Sequence, residues 1–285
     1  MIRKFKLIRP GVALLAGLTA LAGYAASLRR VDGPGLAAAW WVFILAGGAL
    51  ALNQVQECGI DARMKRTRAR PLPSGTLHPF GALALSALMV VAGLGGLVLT
   101  AGPVPAGWGT LALVLYNGIY TPLKKRTAFA GLAGAIVGAL IPVVGYMAGG
   151  GALTDRELIA LMVFLALWQI PHVWLLLLSG PGDYERAGLV PPMRGLGGRQ
   201  VARIIAVWLI AVAGVAAIFP AYGLLRYPVL YAICLCAGAW MVLGYIRVLR
   251  SPRTDGVGML RAFRAVNIFA FVTVLAVIAD GAISR

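Results

Sequence analysis

The chain has 285 residues, 60% of them hydrophobic and only 12% charged, with a mean hydropathy of +0.87. A soluble domain is about half apolar and about a quarter charged, so this composition excludes an ordinary soluble fold. A net charge of +17 would suggest nucleic acid in a soluble chain. Set among long apolar runs, it points instead to basic inner loops and to anionic headgroups or substrates, with no nucleic-acid partner.

The apolar runs approach the roughly 20 residues that a bilayer's hydrocarbon core demands of a helix, and they lack a polar face. They predict an all-α membrane protein in one polytopic domain over 1–285, with spans near 10–28, 36–56, 79–100, 106–121, 128–149, 157–179, 203–220, 227–249 and 262–280. The first run follows Arg3, Lys4, Lys6 and Arg9, as a signal peptide's would. It is longer than the usual signal core, however, and reads as a span. Lys and Arg alternate strongly between successive ends, with 21 of the 26 on one side. That side is predicted to be cytoplasmic, which puts the N-terminus inside and, after nine crossings, the C-terminus outside. Cys58, Cys234 and Cys236 form no metal or disulfide framework and read as three buried thiols. Two inner segments, 62–78 and 180–202, are longer than a connection needs and rich in Arg, Gly and Pro, which marks them for function.

Nine carboxylates occur in the chain. Asp32, Asp155, Glu157, Asp255 and Asp280 fall at predicted span ends or in loops, where solvated charge costs little. Glu57 and Asp61 instead continue the second span and, with Asn53, form a four-residue series that a helix places on one stripe. Carboxylate and amide oxygens are hard ligands that suit Mg²⁺, which completes its shell with water and substrate phosphate. Arg63, Lys65, Arg66, Arg68 and Arg70 follow at once. Acid then base in this order fits a metal-bridged diphosphate, with carboxylates on the metal and guanidiniums on phosphate oxygens. Ion pairing among these neighbours is the plainer alternative. Tyr120, Lys124 and Lys125 lie in a second basic cluster that is also compatible with ordinary inner-loop sequence, and Asp183 and Arg186 lie in a third. Asp183 reads as a further metal ligand or as a solvated loop acid. His172, within Trp168-Gln169-Ile170-Pro171-His172, is placed in mid-span and reads as the lining of an acceptor pocket or as an internal hydrogen-bonding group. Gly131, Gly134, Gly138 and Gly145 in the fifth span either open space between helices or let them pack closely.

At these residues the chain resembles the UbiA superfamily of intramembrane prenyltransferases. Its first motif is an Asn and two acids at four-residue spacing followed by Met-x-Arg-Thr-x-x-Arg-Pro-Leu, matched by Asn53, Glu57, Asp61, Met64, Arg66, Thr67, Arg70, Pro71 and Leu72. Within the superfamily the likeness is to the branch that farnesylates protoheme IX to heme O. The branch's Tyr-Thr-Pro-Leu-Lys run is matched at 120–124, its Trp-x-x-Pro-His segment by Trp168, Pro171 and His172, and its Asp-Tyr-x-x-Ala-Gly loop by Asp183, Tyr184, Ala187 and Gly188.

The resemblance implies a nine-helix bundle of UbiA type in the bacterial cytoplasmic membrane, with the active site on the cytoplasmic side. It implies Mg²⁺ held by Asn53, Glu57, Asp61 and Asp183, and a donor diphosphate held by Arg9, Arg66, Arg70, Lys124, Lys125 and Arg186. The implied donor is farnesyl diphosphate. The implied acceptor is a vinyl group of protoheme IX, in a pocket lined by Tyr120, Trp168 and His172. The chain departs from the branch at Gly11, where a basic residue is usual, in the loop 179–182, which tends to be more polar in the branch, and in residues 189–194, where the branch carries a Pro-Met-Leu-Pro run; Ser179 also stands where the wider superfamily often carries an acid. Two other readings use the same residues: a prenyltransferase for a quinone precursor or other aromatic acceptor, and a transporter or lipid-binding protein whose interfacial acids hold a cation.

Overall fold

Proline opens several of the helices, because its missing N–H costs nothing in the first turn and its fixed φ suits a helix. Pro10 begins α1 (Pro10–Leu28), Pro79 begins α4 (Pro79–Ala101), Pro103 begins α5 (Pro103–Leu113) and Pro228 begins α10 (Pro228–Arg250). Between them run α2 (Gly33–Gln56), the one-turn α3 (Cys58–Asp61), the short α6 (Thr121–Leu123), α7 (Ala130–Ala148), α8 (Arg156–Leu178) and α9 (Gly198–Ala217). The last helix is α11 (Gly256–Ile283). The computed structural model describes residues 7–127, 130–180, 182, 186–189, 195–250 and 256–283, and every regular element among them is helical.

Eight of these helices are long and apolar enough to cross a bilayer. Six of them match expected spans to within three residues, while α9 and α11 begin five and six residues before the expected 203 and 262. The fourth expected span, 106–121, is divided: α5 stops at Leu113, a π-helical segment runs Val114–Tyr120, and α6 completes it. Large apolar side chains such as Leu99 and Phe80 point outward, 86% and 73% exposed, as a lipid-facing surface requires. This is an integral membrane protein.

α1 packs against α2, α7 and α11, and small residues set how closely. A Cβ at Gly145 of α7 would lie 1.7 Å from the Ala20 carbonyl oxygen, and one at Gly23 of α1 would lie 2.1 Å from that of Pro142. Gly145 therefore serves close helix packing rather than an opening. Around Gly131, by contrast, the nearest group is the Trp174 indole at 3.9 Å.

At the bundle end away from Asn53, Arg29 joins three helices. Its guanidinium lies 3.3 Å from Glu157 of α8 and 3.6 Å from Asp280 of α11. The Tyr227 N–H also donates to Asp280. Asp280 is 1% exposed, so the expectation of a solvated end-of-span charge is wrong there: α11 runs past it to Ile283 and its carboxylate is spent on Arg29 and the chain entering α10. Asp155 accepts from Tyr146 and the Ala152 N–H, and Asp32 caps α2 through Gly35. The hydrogen bonds from Tyr24 and Gly35 hold the Asp32 carboxyl below the usual carboxylate range. Asp255 lies outside the described residues. Of the three thiols expected to be buried only Cys234 is: Cys58 is half-buried, and Cys236, two residues on from Cys234 along α10, faces outward.

Candidate active site

The acidic series is not one continuous helix. α2 ends at Gln56, and Glu57 adopts φ −107°, ψ 4° before the single turn of α3. The four-residue step survives this joint, because the Glu57 N–H donates to Asn53 O at 3.0 Å and the Asp61 N–H to Glu57 O at 2.8 Å. Asn53, Glu57 and Asp61 thus keep a common side and are all buried, 4%, 3% and 3% exposed.

Two buried carboxylates demand positive partners, and each has its own. Lys124, arriving just after α6, places its ammonium 2.7 Å from Glu57 Oε1 while directing its hydrogen bond to Oε2 at 2.9 Å. Arg70, in the loop after α3, donates to Asp61 Oδ2 at 2.5 Å. Thr67 ties that loop down by donating to the Asp61 carbonyl at 2.9 Å. Asn53 donates from Nδ2 to Thr121 Oγ1 at 3.0 Å, which leaves its oxygen available as a ligand.

The π-helical segment supplies the opposite wall, and its polar side chains explain its irregular turn. Asn117 donates to the Ala49 carbonyl and to Gln56 Oε1, and Gln56 donates back to the Asn117 carbonyl at 3.0 Å. Thr121 donates to the Tyr116 carbonyl. Tyr116 and Tyr120 stack at 5.6 Å, and the Lys124 ammonium lies 5.8 Å from the Tyr120 ring centroid. Lys125 donates to the Gln56 carbonyl at 3.0 Å, closing the C-terminal end of α2. Arg9 caps α1 with a left-handed φ of 47°, which non-glycine residues avoid.

The two long loops meet. Met64 packs with Ala187 and Leu189, and Ile60 covers them. Gly182 and Gly188 take φ +86° and +71°, the left-handed region that only glycine enters freely. Arg66 and Arg186 are exposed at this end. Asp183 and Tyr184 lie outside the described residues.

His172 stands six residues before the end of α8, about 9 Å of helix rise, and not at mid-span. Its Nδ1 is 2.7 Å from Asn267 Oδ1 of α11. Its ring packs against Trp168 at 4.6 Å and Phe263 at 5.0 Å. Trp168 is buried and its indole N–H donates to the Val266 carbonyl, so it forms the wall behind His172.

The structure thus pairs Glu57 with Lys124 and Asp61 with Arg70, joins Asn53 to Thr121, and sets Tyr120 beside Lys124. Sequence reading missed Gln56, Asn117 and Asn267, and gave Thr121 no role beyond its place in the Tyr-Thr-Pro-Leu-Lys run. A polar amide or hydroxyl inside an apolar span was the available signal for the last three. Among the described residues, no group of three or more His, Cys, Asp or Glu could hold a metal. Two carboxylates and an amide oxygen nevertheless fit Mg²⁺, which keeps several waters and takes phosphate oxygens.

Fold and site together define an intramembrane prenyltransferase: the chain belongs to the UbiA prenyltransferase family, which it matches over residues 16–278. It is 44% identical over 220 residues to a protoheme IX farnesyltransferase of Geobacter sulfurreducens, covering 77% of this chain and 81% of that one. It is 35% identical over 284 residues to a protoheme IX farnesyltransferase of Oleidesulfovibrio alaskensis, covering 96% and 94%. A UbiA homolog from Aeropyrum pernix shares the fold with a TM-score of 0.74 at 19% identity, covering 95% and 98%. Another, from Archaeoglobus fulgidus and bound to GPP and Mg²⁺, does so with a TM-score of 0.66 at 14% identity, covering 97% and 99%.

Proposed function

We propose that this enzyme transfers a farnesyl group from farnesyl diphosphate to a vinyl group of protoheme IX, with Mg²⁺, at the cytoplasmic face of a bacterial inner membrane. The observation that carries the reading is the pair of buried carboxylates, Glu57 and Asp61, each held by a cation from a different segment. The similarity to protoheme IX farnesyltransferases supports the acceptor, and the basic loops at the Asn53 end support the membrane side.

Asn53, Glu57, Asp61 and Asp183 would hold the metal, which supplies positive charge against the departing diphosphate. The remaining steps belong to the chain's own groups. Lys124 and Arg70 neutralise the carboxylates. With Mg²⁺ held by those carboxylates, the same ammonium and guanidinium would be free to turn to diphosphate oxygens, joined by Arg9, Arg66, Lys125 and Arg186. They neutralise the charge that builds as the allylic C–O bond breaks. Tyr116, Tyr120 and the apolar bundle keep water from the electron-poor farnesyl carbon until the acceptor attacks. Trp168 and His172 line the acceptor side.

The test is purified protein with labelled farnesyl diphosphate, with and without protoheme IX and Mg²⁺. Label is expected in heme only when both are present. Transfer to another aromatic with none to heme would assign the chain a different acceptor, and Mg²⁺-independent transfer would refute the metal site.

A further inference from the structure

We infer that His172 presents Nε2 as an axial ligand to the iron of the heme acceptor, and that Asn267 is the positioning residue that fixes this tautomer. The inference rests on the heme reading above and decides between two roles that an imidazole could play there, iron ligand or partner of a propionate.

The argument begins at the Asn267 amide. Its Nδ2 donates to the Phe263 carbonyl one turn earlier on α11, at 2.5 Å. The reversed amide would set oxygen against that carbonyl, two acceptors at hydrogen-bond distance, so the network assigns which end is nitrogen. Oδ1 therefore faces His172, 2.7 Å from Nδ1. An amide oxygen only accepts, so Nδ1 carries the hydrogen. In the neutral ring the other nitrogen, Nε2, then holds a lone pair. Nε2 has no hydrogen-bond partner among the described residues, and the side chain keeps partial exposure.

A lone pair aimed at a carboxylate repels it, so a propionate is the wrong partner for this tautomer. A lone pair with its opposite N–H anchored is the arrangement that metal-ligating histidines adopt, and the anchor fixes tautomer and ring plane. The ring plane is doubly fixed here, with Trp168 at 4.6 Å and Phe263 at 5.0 Å, each inclined about 45° to it. A residue serving only to join α8 and α11 would not need a second nitrogen left open.

The experiment uses the full-length protein in detergent with protoheme IX, and reads the iron–imidazole stretch of the ferrous form by resonance Raman. The wild type should show this band. His172→Gly should lose it, and added imidazole should restore it, which shows that the pocket survives. Asn267→Asp accepts more strongly from Nδ1–H and should raise the frequency, while Asn267→Leu should lower it. Farnesyl diphosphate binding on the same samples reports an intact fold, and the near-isosteric Asn267→Asp carries the test if His172→Gly fails to fold. An unaltered band in His172→Gly would overturn the ligand assignment and leave the heme reading standing. Unaltered frequencies in both Asn267 variants would overturn the positioning role. A wild type that binds no heme would overturn the proposed acceptor along with the inference.

Discussion

Glu57 and Asp61 lie within one turn of each other, both nearly sealed from solvent, and each is held by its own cation. Removing one member of a buried pair leaves an uncompensated charge, which costs more than the pair contributes. This separates two kinds of variant. Asp61→Ala removes a ligand, and its loss should abolish turnover and Mn²⁺ binding by electron paramagnetic resonance, with membrane expression intact. Full activity in that variant would refute the ligand assignment. Lys124→Met removes a diphosphate contact instead, so farnesyl diphosphate affinity should fall by about 1.5–3 kcal/mol, roughly ten- to a hundredfold. In the same variant Glu57 loses its competitor, and Mn²⁺ binding without diphosphate should strengthen. Unchanged affinity for both ligands would reduce Lys124 to an ordinary loop charge.

Among the helices, small residues divide into those that set a contact and those that leave room. Gly145→Ala would force a methyl into the Ala20 carbonyl and push α7 from α1, at a cost of about 1–3 kcal/mol. Gly131→Ala meets nothing closer than 3.9 Å and should be tolerated. The melting temperatures of the two purified variants check this, and equal values would mean the α1–α7 contact is softer than its geometry. The long helices were legible because bilayer length and apolar runs leave few alternatives. The fourth span's π-segment was not, since it depends on Asn117 meeting Ala49 and Gln56 across 61 to 68 positions of chain. The acids were legible as a spaced set within nine residues. Their partners were only half so: Arg70 is nine residues from Asp61, but Lys124 is 67 from Glu57 and looked like any inner-loop lysine. Asp280 misled because a carboxylate near a span end resembles a solvated one until Arg29 is found against it.

For the whole molecule, the diphosphate machinery at one end of the bundle and the Arg29 clasp at the other make different demands. Among the described residues eight helices are long enough to cross, and we propose that the divided α5–α6 passage makes a ninth crossing. Reporter fusions should therefore place the N-terminus in the cytoplasm and the C-terminus outside, and a cytoplasmic C-terminal reporter would overturn that count. The clasp lies at the bundle end away from Asn53 and is expected to serve the scaffold rather than the substrate. Arg29 holds α1 to α8 and α11 through Glu157 and Asp280, and it does so from a left-handed φ of 55° that costs the backbone something to maintain. Arg29→Gln keeps the polarity of the side chain but shortens it and removes the cation beside the buried Asp280, to which the Tyr227 N–H still donates. The expected loss is about 3 kcal/mol, the low end for a buried pair, because Arg29 is itself 19% exposed. The melting temperature in detergent should fall, while farnesyl diphosphate affinity, measured well below that temperature, should hold. A variant that kept its stability but lost donor binding would show the two ends of the bundle to be coupled, and the clasp would then belong to the catalytic cycle rather than to the scaffold.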